Sequence, residues 1–490
     1  MRAAILFALV LTGHAYFAGD TSWNQNARLG AIYTFVEPGP DRWTLRIDGF
    51  ARRDQREVQT GDWARGTDGH LYSNKPPGAS MVGVPLYALL YAIESTAGAD
   101  VKSAALTRIN ARLINVWAGP VWNAAASVVM FLFLVARGST ARAAALPPLA
   151  YAFATLILPF DTSLWGHTTA AACVLVAVSL VFWPPARTPH TGGDPVVDPM
   201  TVSERHRTIR RLLVAGCCAG FAVLIDYLAV FSLAAIGTAV IFRDRKWPQV
   251  AAFAAGAAGP ILLLLSYQKI VFGGALTATV VTTNPVFVSA GHAWGAVGGI
   301  DAEALWRLLI SPYRGLFVYC PALLFAAVGG WRRWRDGERA LVGVCGFGTV
   351  ATLLLVASFN GWWAGFSNGP RYLIGTIPLL VMLLPQMSEL PVLERALYAT
   401  TLVLSAANMA VIAAVDVMVA ETDTNPLYGF TYSRFLAGQY PVSQWSTNAG
   451  IWLGLRPPFD VALFGLLVVV GLFLLWQPGR PPHSRPAREA

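Results

Sequence analysis

Five short polar stretches stand out in a chain that is otherwise strongly apolar. The first is Gly19-Asp20-Thr21-Ser22-Trp23-Asn24-Gln25-Asn26-Ala27-Arg28-Leu29, directly after an apolar run. A carboxylate beside a tryptophan that can anchor at a membrane surface is placed to take a proton from a polar group brought up by a lipid, with Asn24 and Arg28 as further polar contacts. A plain helix cap at Asp20 or Ser22 is the alternative. The second is Gly69-His70-Leu71-Tyr72-Ser73-Asn74-Lys75-Pro76-Pro77-Gly78, where paired prolines fix the backbone and hold Lys75 where an ammonium can meet a phosphate. A lysine snorkelling at a helix start would explain it as well.

The third, Phe160-Asp161-Thr162-Ser163-Leu164-Trp165-Gly166-His167, brings an acid and an imidazole close together. A turn capped by Asp161 accounts for the pattern, and two candidate ligands alone do not make a zinc site, so a divalent metal is left open. The fourth, Ser311-Pro312-Tyr313-Arg314-Gly315-Leu316-Phe317, and the fifth, Asn360-Gly361-Trp362-Trp363-Ala364-Gly365-Phe366-Ser367-Asn368-Gly369-Pro370-Arg371-Tyr372, each carry an arginine at the end of an apolar segment. Binding an anionic group would give Arg314 and Arg371 a reason to be there. Glycines let the backbone approach a sugar, and the faces of Trp362 and Trp363 can pack on sugar rings. An aromatic belt with incidental arginines is the plainer reading of this loop. Asp226, inside a long apolar stretch, reads as a turn between two helices.

The elements that position these stretches follow from composition. Of 490 residues, 55% are apolar and 13% charged, against a charged fraction of about 25% in soluble domains. That excludes an ordinary cytosolic enzyme. The net charge of +9 is divided among short segments, which argues against a nucleic-acid surface. Five cysteines lie within apolar runs with no metal-like or disulfide-like spacing.

Apolar spans fall near 3–18, 113–136, 143–160, 168–183, 212–225, 227–242, 247–271, 315–331, 339–358, 371–386, 396–415 and 459–476, about twelve helices of bilayer length. The first is read as a retained span; a cleaved signal peptide is the alternative. The run 79–97 decides the orientation. If it lies in the interface rather than crossing, then Arg137, Arg142, Arg187, Arg205, Arg207, Arg210, Arg211, Arg243, Arg245, Lys246, Arg332, Arg333, Arg335, Arg480, Arg485 and Arg488 all fall on the inner side, as the positive-inside rule requires. The expectation is an all-α polytopic protein of the inner (plasma) membrane. An N-terminal module, 1–183, holds a large outer loop, 19–112, that carries amphipathic helices. A cytoplasmic linker, 184–211, rich in Pro and Gly, leads to a C-terminal module, 212–476, and a tail, 477–490. All five polar stretches then share the outer, periplasmic side.

In that order and placement, Asp20, the Asn74-Lys75-Pro76-Pro77 element, Asp161 and the segments around Arg314 and Arg371 resemble the polyprenyl-phosphate-sugar-dependent membrane glycosyltransferases of the GT-C fold, the superfamily of protein O-mannosyltransferases and lipid A aminoarabinose transferases. The resemblance runs over nearly the whole chain. It implies Asp20 as catalytic base, Lys75 near the lipid phosphate and Asp161 in a supporting catalytic role. Asn24, Arg28, His167, Arg314, Trp362, Trp363 and Arg371 are the expected substrate-binding residues. The implied partners are a polyprenyl-phosphate-linked sugar, membrane lipid and a glycan, lipid or protein acceptor, with no certain cofactor. Thr21 stands where the protein O-mannosyltransferases carry a second acid, which counts against a protein acceptor. A transporter or lipid flippase would instead require repeat symmetry and charges in mid-span. A polymerase or ligase acting on diphosphate-linked chains is the other competitor.

Overall fold

In a computed structural model the chain is described at residues 1–51, 58–184, 202–244, 246–277, 279–289, 292–293 and 297–477. Most of the expected linker, the tail from 478 with Arg480, Arg485 and Arg488, and the inner arginines Arg187 and Arg245 lie outside the described residues. The fold is helical, with three small antiparallel pairs: Phe17–Ala18 with Thr447–Asn448, Trp63–Arg65 with Leu71–Ser73, and Val288–Ser289 with His292–Ala293.

Six helices are long and apolar enough to cross a membrane: Ala104–Ala136, Ser203–Ile225, Trp247–Phe272, Arg339–Ala357, Val392–Val415 and Phe459–Trp476. They make this a polytopic membrane protein. Arg2–His14, His167–Val181, Tyr227–Phe242 and Arg371–Met382 are shorter apolar helices, so the described residues do not reach the expected twelve. Backbone chemistry explains the shortfall. The run 143–160 divides into Ala141–Phe153, with Pro147 and Pro148 inside it, and the single turn Ile157–Phe160. The run 315–331 starts as Leu316–Tyr319 and restarts through a 3-10 turn at Pro321 before Phe325–Arg335. Proline lacks an N–H and disfavours helical backbone just before it, so apolar character outlasts the helix there.

Helix Ala104–Ala118 ends at Gly119, and Pro120 starts Pro120–Ala136. The first of these is amphipathic, so the expected span 113–136 begins inside it. The run 79–97 forms Gly78–Thr96, which packs against Trp23–Val36 and Ala104–Ala118; Ala79, Ser80, Val82, Gly83 and Tyr87 are buried, whereas Leu89 and Ile93 are exposed. Helices Val202–Ile225 and Trp247–Phe272 make the closest pairing. A Cβ at Gly216 would stand 2.0 Å from the Phe253 carbonyl oxygen, and one at Gly256 2.0 Å from that of Leu213. Small residues allow such backbone approach where apolar burial gives no drive between helices. At Asp226 the chain leaves helix Val202–Ile225 with extended backbone (φ −145°, ψ 116°) before a 3-10 turn, Tyr227–Ala229.

Candidate functional site

The site is built on helix Trp23–Val36. Ser22 caps it, and its backbone N–H donates to the Gln25 side chain at 2.9 Å in a reciprocal capping box. Asp20 is therefore free of the capping role. The helical repeat puts Asn24 and Arg28 on one buried face, where Arg28 Nη1 donates to the Asn24 carbonyl at 3.0 Å and also to the Asn24 side-chain oxygen. Arg28 is only 2% exposed, and among the described residues its Nε has no hydrogen-bond partner.

The hairpin of Trp63–Arg65 and Leu71–Ser73 brings Asp62 alongside Asn74 and Lys75. Lys75 Nζ lies 3.4 Å from Asp62 Oδ2, and Asn74 Nδ2 donates to Thr283 Oγ1 at 3.1 Å. Lys75 thus turns inward onto a carboxylate instead of snorkelling. The turn Trp165-Gly166-His167 forms the third wall. Arg371 stacks over the Trp165 ring at 4.7 Å, and a Cβ on Gly166 would sit 3.4 Å from Arg28 Nη2. Gly166 also holds φ 80°, which favours glycine. Arg371 Nη1 donates to the Phe366 carbonyl at 3.2 Å, while its Nε, like that of Arg28, is buried without a partner. His167 Nδ1 lies 2.7 Å from Asp226 Oδ2.

Electrostatics ties these groups together. Burial pushes the Arg28 guanidinium down to about 10, Asp62 and Asp226 opposing the shift and Arg371 adding to it. Burial also lowers the Lys75 ammonium, Asp62 acting against it and Arg371 and Arg28 with it. Burial would raise the Asp226 carboxyl, but His167, the Leu228 N–H and Arg28 outweigh it and hold the group below its usual value. Three cations and two carboxylates therefore share one buried cluster, with two guanidinium N–H groups unspent. Buried donors are nearly always paired, and an anion is the partner this arrangement suits.

Asp20 precedes the Ser22 cap of helix Trp23–Val36 and is partly buried. Its Oδ1 accepts from the Thr21 N–H at 2.7 Å, its Oδ2 from the Ser443 hydroxyl at 2.5 Å, and its own N–H donates to Ser446 Oγ at 3.0 Å. The pairing of Phe17–Ala18 with Thr447–Asn448 holds the two segments in register. Val442 N–H donates to the Val415 carbonyl at 3.2 Å, which brings Asp416 close to the same place. Burial and the charge of Asp20 push the Asp416 carboxyl up to about 6, against the Met418 N–H.

Other expected site residues are not brought into this cluster. Asp161 is 0% exposed, with its Oδ2 2.7 Å from His14 Nδ1 and Asn123 Nδ2 donating to both oxygens at 3.1 and 2.9 Å. It therefore ties the first helix to Pro120–Ala136, and its partners differ from those of His167. Arg314 is fully buried and donates to the carbonyls of Trp363, Tyr313 and Gly365 at 3.0, 3.0 and 3.1 Å. It pins the Trp362-Trp363 loop. Trp363 Nε1 donates to Glu421 at 2.7 Å, and both tryptophans line a surface groove of about 450 Å³ with Tyr313, Asp301, Glu303 and Arg307. Among the described residues no group of three His, Cys, Asp or Glu side chains is placed to hold a metal ion.

Sequence reasoning did not single out Asp62 or Asp416. The Thr67-Asp68-Gly69 turn signal between two strand-like runs could have pointed to the hairpin that delivers Asp62. No local signal marks Asp416, whose place depends on a contact with residue 442.

No family model matches the chain, and no curated protein matches it. Among solved structures it is similar to ArnT from Cupriavidus metallidurans in the apo state, at 15% identity and a TM-score of 0.45 over 97% of this chain and 75% of that one. The undecaprenyl phosphate-bound form of ArnT aligns at 13% identity and a TM-score of 0.39, again over 97% and 75%. The Archaeoglobus fulgidus oligosaccharyltransferase in its apo form aligns at 12% identity and a TM-score of 0.42, over 92% of this chain and 61% of that one. Likeness at this level leaves the chemistry to the residues of the site.

Proposed function

We propose that the protein is a membrane glycosyltransferase that moves one sugar from a polyprenyl-phosphate donor to a hydroxyl acceptor on the outer face of the membrane, with inversion. The observation that carries the reading is the pair of buried, unspent guanidinium Nε groups of Arg28 and Arg371 beside Lys75. Together they offer a fork and a point charge to a phosphodiester. As the sugar–phosphate C–O bond breaks, its electron pair stays on the phosphate oxygen and the second negative charge develops there. Fixed cations held by the fold stabilise that charge most in the transition state.

Asp20 takes the acceptor's proton as the new C–O bond forms. The hydrogen bonds from Ser443 and the Thr21 N–H orient it. Asn24 holds Arg28, Arg314 positions the loop that ends in Arg371, and Asp161 positions the first outer turn from behind. Trp362 and Trp363 offer faces to the acceptor.

The test is transfer from a synthetic polyprenyl-phosphate sugar in detergent. Asp20→Asn lowers the transfer rate by about 10²- to 10⁴-fold while donor binding is kept, the usual worth of a general base. Full activity in that variant refutes the base assignment. Transfer from a diphosphate-linked donor in preference to the monophosphate would replace the donor class.

A further inference from the structure

The scheme above makes no use of the bond between His167 and Asp226. Asp226 ends helix Val202–Ile225, with its Oδ1 accepting the Leu228 N–H at 3.1 Å and its Oδ2 2.7 Å from His167 Nδ1. A carboxylate on Nδ1 keeps the proton there in the neutral imidazole and leaves Nε2 as the reactive nitrogen. Among the described residues Nε2 has no hydrogen-bond partner. The backbone fixes where the ring sits: Gly166 lies against Arg28, Trp165 lies under Arg371, and the Tyr372 ring meets the His167 ring edge-on at 6.2 Å.

The charged and titratable groups facing His167 come from every wall of the cluster. Burial disfavours the imidazolium most, Asp226 favours it, Arg371 and Arg28 add to the effect of burial, and Tyr372 packs on the ring; Lys75 and Asp62 complete the set one contact away. Tyr227, next to Asp226, is engaged by Gln268 at 2.7 Å. With the imidazole neutral, Arg28, Arg371 and Lys75 exceed Asp62 and Asp226 by one positive charge. That balances a phosphodiester, which carries one negative charge, but not the phosphate monoester left after transfer, which carries up to two at neutral pH. His167 is the group in the cluster whose charge changes between pH 5 and 8.

We propose that His167, oriented by Asp226, is the proton carrier of the phosphate site: it takes up one proton as the leaving phosphate gains its second charge, and holds or passes that proton to a non-bridging phosphate oxygen. This rests on reading the cluster of Arg28, Lys75 and Arg371 as the donor phosphate site. The balance closes without a redox partner. The sugar–phosphate bond breaks with its electron pair on phosphate, the acceptor's proton goes to Asp20, and a solvent proton goes to His167 Nε2.

The experiment is titration calorimetry of the full chain at pH 7.5 in buffers of different ionisation enthalpy, with a polyprenyl monophosphate and its methyl phosphodiester as probes. The monoester binds with uptake of about one proton per site and the diester with almost none, since only the dianion favours the imidazolium. In His167→Gln the uptake for the monoester disappears and its affinity no longer falls with rising pH; Asp226→Asn diminishes both effects. A thermal unfolding midpoint of His167→Gln within a few degrees of the wild type shows that the variant is folded. Undiminished proton uptake in His167→Gln overturns the proposal, because the proton then resides elsewhere. Wild-type protein that binds neither probe overturns the phosphate-site reading itself, which is a separate result.

Discussion

Arg371→Gln puts the anion site to its sharpest test. Arg371 makes one backbone hydrogen bond, to the Phe366 carbonyl, interacts with the Tyr372 side chain, stacks on Trp165 and repels Arg28 and Lys75. Losing the bond costs about 1 kcal/mol, and relief of the repulsion offsets it, so the unliganded stability stays within about 1 kcal/mol of the wild type. The liganded state behaves differently. A hydrogen bond between a charged donor and phosphate is worth about 1.5–3 kcal/mol, which weakens polyprenyl phosphate binding by about 10- to 150-fold. At a ligand concentration of about 100 times the wild-type Kd, binding stabilises the wild type by about 2.7 kcal/mol and the variant by only about 0.3–1.3 kcal/mol. Thermal unfolding in detergent with and without ligand reads both quantities. Arg371→Lys falls between the two, because an ammonium keeps the charge but not the fork or the flat stack. A variant that unfolds at the wild-type temperature and keeps the full ligand-induced shift would refute the reasoning.

Asp161→Ala leaves His14 Nδ1 and one Asn123 N–H without their acceptor in the interior, so it lowers unfolding stability by about 3 kcal/mol, while a folded fraction isolated at low temperature keeps its donor affinity. A loss of donor binding without a loss of stability would move Asp161 into the site. Arg314→Met strips three carbonyls of their donor and loosens the Trp362-Trp363 loop, which is read as faster proteolysis at 359–371 with little change in polyprenyl phosphate affinity. Asp416 titrates at about 6 in the folded chain, above its unfolded value of about 4, so its protonated form favours folding. Wild-type stability therefore falls by up to about 3 kcal/mol as pH rises from about 4 through 6; Asp416→Asn removes that slope, and an unchanged melting profile between pH 4.5 and 7.5 would exclude it.

Much of the site was legible because the relevant spacing is local. Asn24 and Arg28 are one helical repeat apart, and the prolines after Lys75 fix its exit, so their placement follows from short-range geometry. The Asp161-to-His167 stretch misleads for the same reason: sequence proximity suggests a joint site, but the intervening turn sends Asp161 to His14 and His167 to Asp226. Asp226 itself was legible as a helix break, while its partner across the fold was not. Asp62 and Asp416 depend on hairpin register and on the contact between residues 415 and 442, which no periodicity encodes. The span count failed where hydropathy is blind to backbone. Pro147, Pro148 and Pro321 interrupt helices without lowering the apolar content.

Arg28, Arg314 and Arg371 separate structure from chemistry better than their sequence contexts do. Arg314 directs Nε, Nη1 and Nη2 to three carbonyls and is complete as it stands. Arg28 and Arg371 are as deeply enclosed, yet each keeps Nε unspent, and both lie in one another's field and that of Lys75. An unpaired buried donor is destabilising by about 1–3 kcal/mol; among the described residues Arg112 Nη1 and Arg333 Nε are unpaired too, and what sets Arg28 and Arg371 apart is that they share one cluster with Lys75. Two such donors converging with an ammonium, against only two carboxylates, leave an excess of positive charge that the fold alone does not neutralise. A phosphate bound there would satisfy both donors and the charge at once, and under the proposed mechanism Asp20, just ahead of the same helix, would meet the acceptor hydroxyl.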